Sequence, residues 1–274
     1  MSIADILQYA FIQRALLAGT MIAALCSALG VFLVLRRLSL IGDGLAHVTF
    51  GSVALALLLR FQSVYTSIAA IPCVLLSAFG ILKIAEKARI YGDAAIGIVS
   101  SLGIATGIML ASLAGGFNVD LFSYLFGNIL AISSEELLVT VVLSFTVLLT
   151  IALCYNDLLA ITFDEELAAT SGIKVERINS VLVSLTALTV VLAMKVVGIM
   201  LISALLILPA TSALQLARGF KTTILLAVTL GIVSVAGGIF VSFLLNLPTG
   251  ATIIFISFIL FAASFLIRKL RTLR

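Results

Sequence analysis

Long apolar runs, broken by short polar or glycine-bearing stretches, account for most of the 274 positions. Five of them, at about 12–35, 41–59, 64–85, 94–114 and 136–155, each approach the roughly 20 residues that a helix needs to cross a bilayer. A sixth run, 178–217, is twice that length and carries Lys195 and Gly198 near its middle, so it divides into two passes. Runs at about 222–245 and 250–267 follow. No alternation of apolar and polar residues of the porin kind occurs, so the spans are helices rather than barrel strands. The pattern therefore predicts an all-α integral membrane protein: a polytopic helical bundle of about nine (eight to ten) transmembrane helices, forming a single domain over 1–274.

Two intervals interrupt this rhythm. Gly115 to Asp120, followed by Leu121 to Asn128, is semi-apolar and too short to cross, which suits an interfacial, broken or re-entrant helix. Residues 156–177 form the longest polar segment. Thr162 with Glu165 three positions on reads as an N-terminal cap, and Gly172 as a C-terminal one. Those signals predict one short surface helix over 162–173.

Composition strengthens the membrane reading. Hydrophobic residues make up 63% and charged residues 10% of the chain, and mean hydropathy is +1.34; a soluble domain carries about 25% charged residues. The net charge of +4 is no nucleic-acid signal, because the cations collect in short loops. With the N-terminus outside, nine passes place Arg36, Arg37, Lys83, Lys87, Arg89, Lys174, Arg177, Arg218, Lys221, Arg268, Lys269, Arg271 and Arg274 inside, thirteen of the sixteen Lys and Arg residues. That is the bias that orients membrane proteins. Cys26, Cys73 and Cys154 stand alone in apolar runs and read as small hydrophobes. Asp5, with no Lys or Arg near the start, argues against a cleaved signal peptide.

Candidate chemistry concentrates in Arg36-Arg37-Leu38-Ser39-Leu40-Ile41-Gly42-Asp43-Gly44-Leu45-Ala46-His47. His47 is the chain's single histidine, four positions after Asp43, so on a helix the two share a face one turn apart. An acid and an imidazole at the entry to an apolar span form a functional site by default. With no Lys or Arg on the same helix to neutralise the acid, a divalent cation suits the pair as a transient transport site. The alternative is a polar pair at a helix entrance that bonds backbone or a lipid headgroup. Protonation of His47 would compete with metal, so transport should fall at acidic pH. Asp93 and Asp120 sit at span ends and read as capping or solvated acids, Lys195 as a residue snorkelling to the interface. Gly97, Ser100, Ser101, Gly103 and Gly107 read as helix packing. No GxxxxGK[ST] motif occurs, so ATP is not bound through a Walker A loop. A proton-driven secondary cation transporter is the rival class, but the span middles hold few acids for a proton relay. Uptake of a metal chelate is a third reading, disfavoured by the lack of Trp and only five Tyr.

The chain resembles the permease subunits of bacterial ABC importers for zinc, manganese and iron, above all the high-affinity zinc-uptake permeases. The resemblance runs essentially end to end. It rests on Phe11 to Leu16, Leu35 to His47, Val119 to Asn128, Thr162 to Ala168, Met194 to Gly198 and Leu206 to Thr211. It implies a permease of the bacterial plasma membrane that is not itself an enzyme and imports a divalent metal, zinc first and manganese or iron as alternatives, with no permanently bound cofactor. It further implies a homodimer, separate cytoplasmic ATPase subunits and an external metal-binding protein. By resemblance Asp43 and His47 are the metal-handling positions. The 162–173 segment, with Phe163, Asp164, Glu165, Glu166, Ala168 and Gly172, is similar to the coupling helix that docks on the ATPase. The His-rich loop of some relatives is absent.

Overall fold

The structure is a computed structural model that describes residues 8–59, 63–88, 90–113, 127, 129 and 132–272. These form eleven helices, and no strand occurs among the described residues: α1 (Ala10–Leu35), α2 (Ile41–Leu58), α3 (Ser63–Ala88), α4 (Gly92–Leu113), α5 (Ser134–Leu153), α6 (Tyr155–Phe163), α7 (Glu165–Thr170), α8 (Val175–Val197), α9 (Ile199–Leu216), α10 (Phe220–Leu245) and α11 (Thr249–Thr272). Nine of them are long and apolar enough to cross a membrane. All the expected spans are present, and the 40-residue run is divided at Gly198. The segment 114–126, with Asp120 and the expected broken helix, lies outside the described residues.

Burial separates inner from outer helices. In the apolar windows of α1, α2 and α8, 72%, 67% and 67% of residues are buried, against 22% in α3, α5 and α11. The outer helices turn Leu102, Met109, Leu138, Phe145, Phe255 and similar side chains outward, as helices facing lipid do. Lipid tails are as apolar as leucine, so close helix contact must come from shape, and small residues supply it. A Cβ on Gly51 would stand 2.6 Å from the Gly103 carbonyl oxygen, and one on Gly103 would stand 2.8 Å from Val48 Cα. The backbones of α2 and α4 thus touch. Gly97 differs from the expectation: a Cβ there meets nothing within 4 Å, so it lies off the packed face.

Several threonine hydroxyls within the bundle bond their own helix. Thr49, Thr186 and Thr189 donate to the carbonyls of Leu45, Leu182 and Leu185 at 2.7, 2.8 and 2.8 Å, which satisfies them without a cross-helix network. α5 starts with a reciprocal cap between Ser133 and Glu136. At Gly198 the chain reverses within one residue. α8 begins beside Arg36, at the end of α1, while Ala210 and Ala213 of α9 return to Val31 of α1. Gly198 has φ 79° and ψ 162°, a region open essentially to glycine alone.

These reversals gather Arg36, Arg37, Lys87, Lys174, Arg177, Arg218, Lys221, Arg268, Lys269 and Arg271 at the end of the bundle where α1 finishes and α6 and α7 sit. By charge bias that end is cytoplasmic.

Candidate metal and coupling sites

The α1–α2 corner is a tight reversal made without glycine. Leu38 N–H bonds Leu33 O at 2.8 Å and Arg37 N–H bonds Val34 O at 3.2 Å, the paired bonds of a Schellman end. Arg37 takes the left-handed position there, at φ 57°. The chain then re-enters the bundle and starts α2 at Ile41, so Asp43 falls in the first turn and His47 in the second.

Asp43 and His47 do share a face. His47 Nε2 lies 3.5 Å from Asp43 Oδ2, and the two side chains are 24% and 45% exposed. Ser203 of α9 donates from Oγ to Asp43 Oδ1 at 3.2 Å. His47 Nδ1 is buried and makes no hydrogen bond. At 3.5 Å the imidazole and carboxylate stand beyond a tight hydrogen bond. Two ligands bound to one ion at about 2.1 Å with tetrahedral angles would be about 3.4 Å apart. The spacing is that of an i,i+4 ion pair and is also compatible with two ligands of a single cation. Among the described residues no three or more His, Cys, Asp or Glu side chains are grouped so as to hold a metal ion. Cys26, Cys73 and Cys154 are free thiols.

Close packing on both sides fixes the pair. A Cβ on Gly42 would stand 2.2 Å from Leu206 Cδ1 of α9, and one on Gly44 would stand 2.7 Å from Ile96 Cγ2 of α4. Glycines flanking Asp43 thus let α9 and α4 close on α2 at the site. Ser203 was not singled out in the sequence, where it is one serine in an apolar run, 160 positions from Asp43.

The polar segment departs from the single capped helix expected over 162–173. Thr162 belongs to α6 and bonds Leu158 O at 2.6 Å. The chain breaks at Asp164, whose Oδ1 accepts from the Glu166 and Leu167 amides, both at 3.0 Å. Asp164 outcompetes Thr162 as cap because its extended backbone (φ −156°, ψ 108°) aims the carboxylate at the free N–H groups of α7. Gly172 does end the helix, at φ 89°, with its amide on Ala169 O and that of Ile173 on Ala168 O, both at 3.1 Å.

Of the six positions expected to couple to a partner, Ala168 is buried and anchors α7, while Phe163, Asp164, Glu165, Glu166 and Gly172 are exposed. Phe163 and Leu167 are 72% and 65% exposed, two large apolar groups uncovered at the α6–α7 elbow. Phe163 and Tyr155 meet Phe220 at a tilt, 5.8 and 6.0 Å between ring centroids, and Phe220 meets buried Phe32 edge-on. That aromatic cluster fastens α6 to α1 and α10. Glu165 faces the other way and pairs with Arg36.

Comparison with known proteins matches this architecture. The ABC 3 transport family profile matches residues 8–268. The manganese transport system membrane protein MntC of Halalkalibacterium halodurans is 35% identical over 261 residues, covering 95% of this chain and 88% of that protein. The manganese import system permease protein ScaB of Streptococcus gordonii is 37% identical over 257 residues, 94% of this chain and 91% of that protein. The solved structure of PsaBC from Streptococcus pneumoniae in complex with Fab contains a chain with 35% identity and a TM-score of 0.86, aligned over 96% of this chain and 94% of that one.

Proposed function

The chain belongs to the ABC 3 transport family, and from that premise we propose that it is the membrane permease of an ATP-driven importer of a divalent transition metal, with manganese as the preferred cargo. The observation that carries this reading is the Asp43–His47 pair, at a spacing compatible with one cation and backed by Ser203. Manganese takes the place that resemblance alone gave to zinc, because the relatives compared are named as manganese systems.

Asp43 supplies charge, His47 Nε2 supplies the nitrogen, and Ser203 holds the carboxylate toward the pathway. Two strong ligands bind weakly enough to release. The remaining positions go to water or to a second copy of the chain, for which the half-exposed Asp43 leaves room. The permease performs no bond chemistry; ATP hydrolysis belongs to cytoplasmic subunits that grip Phe163 and Leu167 on the α6–α7 elbow. An external metal-binding protein delivers the ion.

The test is uptake by proteoliposomes containing this chain, its ATPase and its loaded binding protein. ATP-dependent manganese entry, with zinc slower or inhibitory, supports the proposal. Zinc entry faster than manganese overturns the cargo. Entry driven by a proton gradient without ATP overturns the class.

A further inference from the structure

Arg36 caps the C-terminus of α1, and its side chain is only 10% exposed. Its Nη1 donates to Asn179 Oδ1 of α8, and its Nη2 donates to Glu165 Oε1 at the start of α7. Asn179 Nδ2 closes the triangle by donating to the same Glu165 oxygen at 3.3 Å. One guanidinium thus ties α1, α7 and α8 together. The two-pronged geometry matters, because a lysine ammonium has no planar fork to reach both acceptors at fixed angles.

The tie lies seven positions before Asp43, across the hydrogen-bonded Schellman corner. No flexible linker separates the two, so displacement of the corner carries the first turn of α2 with it. Glu165 is 48% exposed, which makes the ion pair a modest source of stability in a solvated setting. Its value lies in placement: it joins the elbow facing the cytoplasm to the turn that carries the metal ligands.

We propose that Arg36 is the positioning residue that transmits movement of α7 to the Asp43–His47 turn of α2. The inference rests on the reading of the chain as an ABC permease and names the link inside it. Rigid-body shifts of packed helices are a common form of such transitions, and a discrete ionic node between two of them couples their motion.

The experiment measures ATP hydrolysis and manganese uptake in the same proteoliposomes, for the whole complex, and takes ions imported per ATP. Arg36→Gln should leave hydrolysis within about twofold of wild type and lower the ions imported per ATP by about tenfold. Arg36→Lys should fall between. Exchanging the charges, Arg36→Glu with Glu165→Arg, should restore the ratio to within about threefold, since the Asn179 amide serves either partner as donor or acceptor. If Arg36→Gln fails to assemble, Asn179→Ala carries the same comparison, with an expected drop of about threefold. An unchanged ratio in Arg36→Gln, or in Asn179→Ala where that variant stands in, overturns the inference, as does an exchanged variant as uncoupled as the single one. A wild-type complex that fails to import metal with ATP strikes the proposed function instead, so the two failures are distinguishable.

Discussion

Adding one methyl group at Gly103 should damage the site from the far side of α2. A Cβ there would stand 2.8 Å from the Val48 nitrogen and Cα and 3.0 Å from the His47 carbonyl carbon, where ordinary contact begins at 3.4 Å. Those obstacles are backbone atoms and cannot rotate aside. Relief requires α4 and α2 to part by about 0.6 Å (3.4 − 2.8) at the level of His47. Overpacking of this kind costs about 1–3 kcal/mol. Gly97 on the same helix supplies the control, because a Cβ there meets nothing within 4 Å. Gly97→Ala should be neutral or stabilising by up to about 1 kcal/mol, the helix-propensity gain. Thermal unfolding of the detergent-solubilised complex, followed by size-exclusion chromatography, reads the difference. The propensity gain is common to both variants, so with about 2–4 °C per kcal/mol for a chain of this order of size, Gly103→Ala should melt at least about 2 °C below Gly97→Ala, and Gly97→Ala no lower than wild type. Metal uptake should fall in the first variant only. Equal melting of the two variants, or normal uptake by Gly103→Ala, would refute the packing argument.

Other substitutions probe separate parts of the account. Ser203→Ala removes a long hydrogen bond (3.2 Å) to a half-exposed carboxylate, worth about 0.5–1.5 kcal/mol; manganese uptake kinetics should show a raised KM rather than abolished transport. Arg37→Gly relieves a left-handed non-glycine residue at φ 57°, so the melting temperature should rise by an amount equivalent to about 1 kcal/mol. Asp164→Ala leaves the α7 amides uncapped at a cost of about 1 kcal/mol, and a pull-down should recover less ATPase with the purified chain. Gly198→Ala forces a side chain into a region reserved for glycine, at about 1–3 kcal/mol, and should lower the yield of folded protein on size-exclusion chromatography.

The spans were legible because each is a sustained apolar run near the bilayer thickness, and polar or glycine residues mark nearly every reversal. Gly198 could be read as the divider of a double-length run for the same reason. The elbow at Asp164 was less legible: Thr162 and Asp164 are both good caps two positions apart, and only backbone direction chooses between them. Gly97 and Gly103 look alike in sequence, yet one packs and the other does not, because helix phase relative to a neighbour is a tertiary property. Asp43 and His47 announced themselves by spacing within one helix. Ser203 and the Arg36–Glu165 tie did not, since they join positions 160 and 129 apart and no local pattern encodes such a meeting.

The central claim is that this chain holds its cargo ion through His47. Because His47 is its only histidine, labelling the permease alone with 15N-histidine before assembly makes any labelled-nitrogen signal unambiguous. Pulsed electron paramagnetic resonance of Mn2+ trapped in the complex should show hyperfine coupling to 15N, lost in His47→Ala. A complex that imports manganese under ATP yet shows no coupling to the labelled nitrogen in any trapped state would contradict the account.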